Sequence, residues 1–104
     1  MNVITVCIRY TIDISKLSDF EKYARNWSEP IPRCGGELLG YFLPTRIAGA
    51  TNVAYALINF TNLAAYEKYR EALMNDEHAM QNFAFADRSG CIQIEDRSIL
   101  RQVP

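Results

Sequence analysis

The chain has 104 residues, of which 49% are hydrophobic, and its formal net charge is -1. This length and composition predict one globular domain over residues 1–104 with a modest core, and they exclude a disordered chain. Acidic and basic residues are interspersed without a basic run, so neither a nucleic acid nor an anionic membrane is expected as a partner. The longest apolar run is far too short to cross a membrane, and the N-terminus lacks the features of a signal peptide.

The three cysteines, Cys7, Cys34 and Cys91, are widely spaced and form no CxxC pair. Because no Cys/His cluster accompanies them, no structural zinc is expected. Reduced thiols in a cytoplasmic protein are the simplest interpretation. Cys34 follows a proline-rich stretch and precedes Gly35-Gly36, so we expect it to be the most exposed of the three.

The first half of the chain predicts a strand followed by a helix. Residues 3–12 alternate with a period of two, which is typical of a strand with one strongly apolar face. Ser15 is a candidate N-cap for the helix that follows. Apolar residues then recur at helical spacing; this stripe consists of Leu17, Phe20, Ala24, Trp27 and Ile31. Pro30 and Pro32 are expected to end the helix, because proline lacks a backbone donor and clashes with the preceding turn.

The second half predicts two strands, two helices and a last strand. Gly35-Gly36 turns the chain into a strand over residues 37–43, a loop over 44–52 leads to a strand over 52–60, and both strands are apolar on both faces. Thr61 or Asn62 is expected to cap the next helix, and Asp76 to cap a short third one. Their buried stripes are predicted as Leu63, Tyr66, Tyr69 (or Arg70) and Leu73, then Ala79, Met80 and Phe83. A turn over 87–90 precedes a strand over 91–101.

This order is βαββαβ with an extra short helix before the last strand, which predicts the ferredoxin-like α+β fold. In that fold the helices cover one face of an antiparallel sheet, and a face left to water should be polar. The second faces of the two middle strands are apolar instead, so we expect the same face of a second copy to cover them in a symmetric homodimer. The alternative is that the C-terminal tail or the loop over residues 44–52 folds over that face.

Several motifs resemble the NIPSNAP family, within the dimeric α/β-barrel superfamily. They are Arg9-Tyr10-Thr11 and Lys16-Leu17 after the first strand, the run from Pro32 through Gly35-Gly36 to Phe42, and Asn75-Asp76-Glu77 near the third helix. The family usually has an arginine two residues before the first-strand tyrosine, and this chain has Ile8 there. The resemblance implies a dimeric barrel of ferredoxin-like units with a cavity between sheet and helices. Relatives in the superfamily include cofactor-free monooxygenases and haem-degrading enzymes, but a shared fold implies no shared activity.

Aromatic side chains are the candidate ligand-binding residues. Tyr10, Tyr41 and Tyr55 lie on the three central strands, and Trp27 lies on the first helical stripe. Rings with polar tips suit a pocket for a flat organic molecule, and they also suit ordinary core packing. If a pocket exists, Tyr10 and Trp27 are the first candidates, because the apolar face of the first strand meets the helical stripe there.

Two titratable residues are candidates for catalysis. His78, the single histidine, is a candidate general acid or base, or a solvated residue at a helix start. Asp96 is in phase with Ile92 and Ile94, so it is either a carboxylate on an apolar face that acts as a base, or an exposed residue near a strand end. Asp76 and Glu77 next to His78 make a poor metal site, because neighbours on a helix diverge and a second histidine is missing.

The sequence therefore predicts a protein that binds a small apolar or aromatic molecule in a sheet–helix cavity, or that serves as an assembly module, without a cofactor. The alternative is a cofactor-independent monooxygenase or isomerase-like enzyme acting on an aromatic or polyketide-like substrate. A filled cavity would favour a structural role, and the sequence does not give the cavity volume.

Overall fold

The computed structural model describes residues 3–104, in which four strands form one antiparallel sheet. The strands are β1 (Ile4–Ile12), β2 (Glu37–Phe42), β3 (Val53–Phe60) and β4 (Ile92–Leu100), and their spatial order is β2-β3-β1-β4. The helices are α1 (Leu17–Arg25), α2 (Pro30–Arg33), α3 (Leu63–Met74) and α4 (Glu77–Ser89). The predicted ferredoxin-like α+β fold is confirmed.

The core lies on the helix-facing side of the sheet, where alternate residues of the central strands are buried. β1 contributes Val6, Ile8, Tyr10 and Ile12 to this side, and β3 contributes Ala54, Ala56, Ile58 and Phe60. The helical stripe meets them with Phe20, Trp27 and Ile31, all at most 3% exposed. Gly36 permits close packing beside β2, since a Cβ at this position would lie 2.9 Å from Ile58 Cγ2 and 3.0 Å from Ile31 Cγ2.

Two details of the first helical region differ from the sequence prediction. The cap is Asp13 and not Ser15: the Asp13 carboxylate accepts from the Ser15 backbone N–H at 3.0 Å and starts a 3₁₀ turn over Ile14–Lys16. The prolines do not end a continuous helix either, because α1 ends at Arg25 and Pro30 starts α2. Proline fits the first turn of a helix, where its missing N–H would have no helical partner.

The break after Arg25 is stabilised by α4. The Asn82 side chain, only 3% exposed, donates from Nδ2 to the Tyr23 backbone carbonyl at 2.9 Å and accepts from Asn26 Nδ2 at 3.1 Å. The Trp27 backbone N–H donates to the Ala24 carbonyl and not to the Tyr23 carbonyl, which would be its partner in a continuous α-helix. Asn82 supplies the missing donor, and it thereby fixes the segment that carries Trp27.

The second helical region agrees with the sequence more closely. Asn62 caps α3 through the Ala65 N–H at 2.8 Å, and Asp76 caps α4 through the Ala79 N–H at 2.9 Å, as expected. Arg33 at the end of α2 also forms a bidentate ion pair with Asp76, at 2.8 and 2.9 Å, and holds the pKa of that carboxyl down at about 2. The prediction that Leu63 is part of the buried stripe is wrong, because this residue is 54% exposed. α4 is longer than predicted and includes residues 87–89, which were expected in a turn.

The register of β4 contradicts one expectation about Asp96. Ile92 pairs with Ile12 but Ile94 pairs with Thr11, so Gln93 is an extra residue in a bulge. The bulge moves Ile94 and Asp96 to the side of the sheet away from the helices, while Ile92 stays on the helix-facing side. The prediction that Asp96 shares a face with both isoleucines is therefore wrong.

The side of the sheet away from the helices, called the open side below, carries large exposed apolar groups. They are Leu39 at 51%, Phe42 at 49%, Tyr55 at 41%, Ile94 at 54% and Leu100 at 46% exposure. Residues 44–50 of the loop border only one end of this side, in a groove with Arg9, Phe42 and Tyr55. Neither the loop nor the tail covers these groups.

The helices of residues 3–104 are all too short or too polar to cross a membrane.

Cys34 is half-buried, as is Cys7, and Cys91 is buried. Burial raises the pKa of the Cys34 thiol, and the nearby Asp76 carboxylate adds to the rise. The sulfur is therefore held as the less reactive thiol form.

Candidate functional site

A cluster of aromatic rings with polar tips fills the space between the sheet and the helices. We call it the ring site. Its inner members are Tyr10 of β1, Tyr23 of α1, Trp27 of the turn after α1, Tyr41 of β2 and Tyr69 of α3. The aliphatic part of the lining consists of Ile8, Ile31, Ile58 and Leu73. Phe83 of α4 and Arg97 of β4 also line the space, and we call these two residues the rim.

The rings pack mostly edge to face, and the hydroxyl groups approach one another. Tyr10 and Tyr41 stack with ring centroids 5.9 Å apart, and their hydroxyl oxygens are 3.1 Å apart. Tyr23 stands perpendicular to Trp27 at 5.8 Å, and Trp27 meets Phe83 at 5.0 Å. Edge-to-face pairs of this kind contribute about 0.5–1.5 kcal/mol each beyond the area they bury, so the ring contacts stabilise the cluster.

The indole N–H of Trp27 is the unusual group in this cluster. Trp27 is 3% exposed, and its Nε1 has no hydrogen-bond partner within residues 3–104. The Tyr23 hydroxyl interacts with it but lies outside hydrogen-bonding geometry. An unpaired buried donor costs about 1–3 kcal/mol, and native cores seldom retain one without a water, an ion or a functional reason.

The ring site favours neutral groups over negative charge. Burial raises the pKa of Tyr23 to about 12, and it also raises the pKa values of Tyr10, Tyr41 and Tyr69 above the usual tyrosine range. The cause is desolvation, which penalises a phenolate in a poorly hydrated space. The hydroxyls of the inner ring site therefore stay protonated at neutral pH and act as neutral donors and acceptors.

The rim carries a network of charges. Arg97 donates from Nε and Nη2 to Glu95 Oε2 at 3.0 and 2.8 Å, and its Nη1 lies 3.4 Å from the Tyr66 hydroxyl. Arg70 donates to the same hydroxyl at 3.1 Å. Partial burial acts to raise the pKa of Tyr66, but the hydrogen bonds from the two arginines outweigh it and hold the pKa below its usual value. The edge of the ring site thus carries an arginine whose charge is paired with Glu95, beside a neutral interior.

The free volume inside the ring site is small. The lining encloses about 10 Å³, which is room for about one water molecule. A larger molecule can enter only if a side chain moves. Phe83 is a half-buried residue that closes one side of the space and packs against Trp27. As it stands, the space is occupied by protein side chains, which is also what a purely structural role predicts.

The predicted aromatic residues do not all meet in one place. Tyr10, Trp27 and Tyr41 line the ring site together. Tyr55 lies on the open side of the sheet, opposite Arg9 of β1 and Phe42 of β2, because it is out of phase with the buried alanines at 54 and 56. Tyr55 therefore belongs to a different surface.

The two catalytic candidates lie away from the ring site. His78 is exposed near the start of α4, in an open groove of about 470 Å³ between α1 and α4 that Lys22, Arg25 and Asn82 also line. Asp96 lies on the open side, where its 64% exposed side chain stands 4.0 Å from Arg9. Neither residue contacts the rings, so the structure joins neither of them to the aromatic candidates.

Four residues of the site were not predicted as site residues. Tyr23 follows Phe20 by three positions and precedes Trp27 by four, so helical spacing alone would have found it. Helical spacing assigns Tyr69 and Phe83 to the buried stripes of their helices, and a stripe does not show which other side chains each ring meets. Arg97 faces the helices only because of the bulge at Gln93, which no local signal in the sequence marks.

Residues 3–104 bring together no group of three or more histidine, cysteine or carboxylate side chains that could hold a metal ion. The ring site itself offers hydroxyl groups, an indole N–H and a guanidinium. Such a set can hydrogen-bond an oxygen-bearing organic molecule, and its phenols can donate or accept protons only weakly at neutral pH.

Comparison with known proteins identifies relatives by fold and by family. The family model described as NIPSNAP matches residues 5–104. None of the curated proteins matches the chain. A NIPSNAP family protein of unknown function from Agrobacterium tumefaciens is 20% identical, with 97% of this chain and 88% of that chain covered and a TM-score of 0.82.

Two further solved structures share the fold. A second NIPSNAP family protein from Agrobacterium tumefaciens is 24% identical, covers 98% of this chain and 87% of its own, and has a TM-score of 0.79. A protein from Caulobacter crescentus, described as a candidate antibiotic biosynthesis monooxygenase, is 13% identical, with 99% and 92% coverage and a TM-score of 0.71. At these identities the similarity to the solved structures shows the fold alone.

Proposed function

The chain belongs to the NIPSNAP family, and we propose that it binds a small flat aromatic molecule in the ring site. The observation that carries this proposal is the unpaired Trp27 N–H, buried among hydroxyl-tipped rings. Leucine or phenylalanine side chains would fill the same space without leaving a donor unpaired. A ligand that stacks between the rings and accepts this hydrogen bond would remove that cost.

Ligand entry requires displacement of the Phe83 ring, because the site encloses only about 10 Å³. Phe83 is half-buried and projects from the surface helix α4, so its ring can turn away from Trp27 without displacing a strand of the sheet. Moving it would open the face of Trp27 while β1 and α1 keep the remaining rings in place. The affinity then reflects the gain from stacking minus the cost of moving Phe83.

The single tryptophan provides a direct test. We would titrate ¹⁵N-labelled protein with indane and 1-indanone, two bicyclic aromatic probes, and follow the only indole ¹H–¹⁵N resonance. We expect saturable shifts in the wild type and about tenfold tighter binding to Phe83→Ala, because the wall is already open; tenfold corresponds to about 1.4 kcal/mol. Tyr55→Ala, altered on the open side, is the matched control and should bind as the wild type does. No saturable shift in either the wild type or Phe83→Ala would contradict the proposal.

The proposal includes a symmetric homodimer formed through the open side, the assembly of a dimeric α/β barrel. Its support is the exposed apolar set on that side and the Arg9–Asp96 pair at 4.0 Å. Under two-fold symmetry, each arginine can face the aspartate of the second copy, so the interface is complementary in charge as well as apolar. Sedimentation equilibrium should give a dimer for the wild type and a monomer for Phe42→Asp; a monomeric wild type would contradict it.

The enzyme alternative stays a prediction. A cofactor-independent monooxygenase would need a ligand-sized cavity with a titratable group, and His78 and Asp96 both lie outside the ring site. Any such chemistry would have to use the tyrosines. The cytoplasmic location expected from the free cysteines also stays a prediction.

A further inference from the structure

The donors and acceptors of the ring site are not balanced. The Trp27 N–H is a donor without a hydrogen-bonded acceptor. The hydroxyls of Tyr10 and Tyr41 can each donate and accept, and their mutual contact uses one donor and one acceptor. The rim adds Arg97, which only donates, and its nearest acceptor, Glu95, already receives two of its N–H groups. The Tyr23 hydroxyl lies near the indole N–H but outside hydrogen-bonding geometry, so what the interior lacks is an acceptor in line with that donor.

The same interior is a poor place for an anion. Four phenols line it, and burial keeps their hydroxyls protonated. A carboxylate placed among them would lose its hydration without gaining a cation, because Arg97 lies at the rim and is paired with Glu95. An uncharged oxygen avoids this cost and still accepts a hydrogen bond.

Resting on the proposed function, we infer that the ligand directs an uncharged acceptor oxygen, the carbonyl or quinone oxygen of a flat ring system, at the Trp27 indole N–H. The ring system takes the place of the displaced Phe83 ring against Trp27, where the two ring centroids now lie 5.0 Å apart. Trp27 is then the residue that selects between an oxygenated ring and the plain hydrocarbon. This selection follows from the unpaired donor, because a hydrocarbon would leave the N–H unsatisfied.

The test compares three probes of similar size: 1-indanone, which carries a carbonyl; indane, which lacks it; and indane-1-carboxylate, which is anionic. We expect 1-indanone to bind about tenfold or more tightly than indane, the gain typical of pairing a buried donor. We also expect it to move the indole proton downfield, as a hydrogen bond does, whereas the saturable shift caused by indane should lack this downfield change. In Trp27→Phe the preference for 1-indanone should disappear, and Tyr55→Phe should retain it.

The outcomes separate this inference from the proposed function. Equal affinity for indane and 1-indanone, with the indole resonance shifted equally by both, would overturn the inference and leave ligand binding intact. Tighter binding of indane-1-carboxylate than of 1-indanone would also overturn it. If no probe binds, both proposals fail. A long-lived contact between the indole proton and a bound water would then show that the site is a hydrated core. The downfield shift is measured on the wild type, so a poorly folding Trp27→Phe variant does not prevent a decision.

Discussion

The two sides of the sheet are made by alternate residues of the same strands and both carry large apolar side chains, yet they differ in how far those side chains are exposed. On the helix-facing side, residues such as Ile8 and Ala56 are at most 3% exposed and pack against helices. On the open side, their neighbours Tyr55 and Phe42 are nearly half exposed. The comparison shows that apolar character alone does not place a residue in the core. Exposed apolar residues indicate instead a surface that a partner could cover. The sheet therefore has a closed, ring-lined interior on one side and an exposed apolar surface on the other.

The largest expected effect is on the helix-facing side. Phe20 is fully buried, with its ring centroid 5.0 Å from that of Tyr10. We expect Phe20→Ala to lower the free energy of unfolding by about 3–5 kcal/mol. Phe42→Ala, matched in chemistry on the open side, should cost about 0.5 kcal/mol or less when measured on the monomer. Urea denaturation gives both values, and equal losses would remove the distinction between the two sides.

A smaller effect is expected at Gly36, where the connection from α2 enters the sheet on its helix-facing side. An added Cβ would lie within 2.9 Å of Ile58 Cγ2 and 3.0 Å of Ile31 Cγ2. Since both neighbours are buried, we expect Gly36→Ala to cost about 1–3 kcal/mol through overpacking. A thermal melt would test it, and an unchanged or higher melting temperature would show that this packing is looser than described.

The tyrosines of the helix-facing side predict a pH dependence. Burial raises the pKa of Tyr23 from its ordinary value of 10.0 to about 12 in the folded protein, so the folded state binds the proton more tightly than the unfolded state does. This contribution to stability is fully present below pH 10 and is lost as pH rises toward 12. Tyr23→Phe should therefore flatten the alkaline fall in stability, as followed by denaturation at several pH values. An alkaline profile identical to that of the wild type would contradict the assignment.

The smallest effect is expected at a cysteine on the open side. Cys7 of β1 is half-buried and lies opposite Leu57 of β3 and Ser98 of β4. If a second copy covers this side, labelling of Cys7 by a thiol reagent should slow several-fold as protein concentration rises through the dimer dissociation constant. Cys34 lies after α2 and is the internal control. Peptide mapping by mass spectrometry measures both rates, and parallel rates would count against the sheet-to-sheet interface.

The sequence predicts the fold well because strong periodicities decide it. The alternation in β1, the helical stripe through Phe20 and Trp27, and the caps at Asn62 and Asp76 are local signals, and each is seen in the structure. Where the prediction is wrong, two local signals compete. Asp13 caps in place of Ser15 two residues later, and Pro30 starts a helical turn because its position suits a first turn as well as an end.

The candidate site could be predicted only in part. Tyr10, Trp27 and Tyr41 could be identified because each lies on a buried phase of its element. Arg97 could not, since one extra residue at Gln93 reverses which side residues 94–100 face. The unpaired state of the Trp27 N–H depends on the positions of neighbouring hydroxyls to within a fraction of an ångström, and no sequence pattern encodes that.

Native mass spectrometry of the protein as purified tests the central claim most directly, because it reports the state of both sides of the sheet at once. We predict a particle of twice 11.9 kDa, carrying the added mass of a small organic molecule on at least part of the population. Phe42→Asp should reduce it to one chain that retains the added mass, because the ring site lies on the other side of the sheet. A wild-type particle of one chain without added mass would contradict the account of both sides.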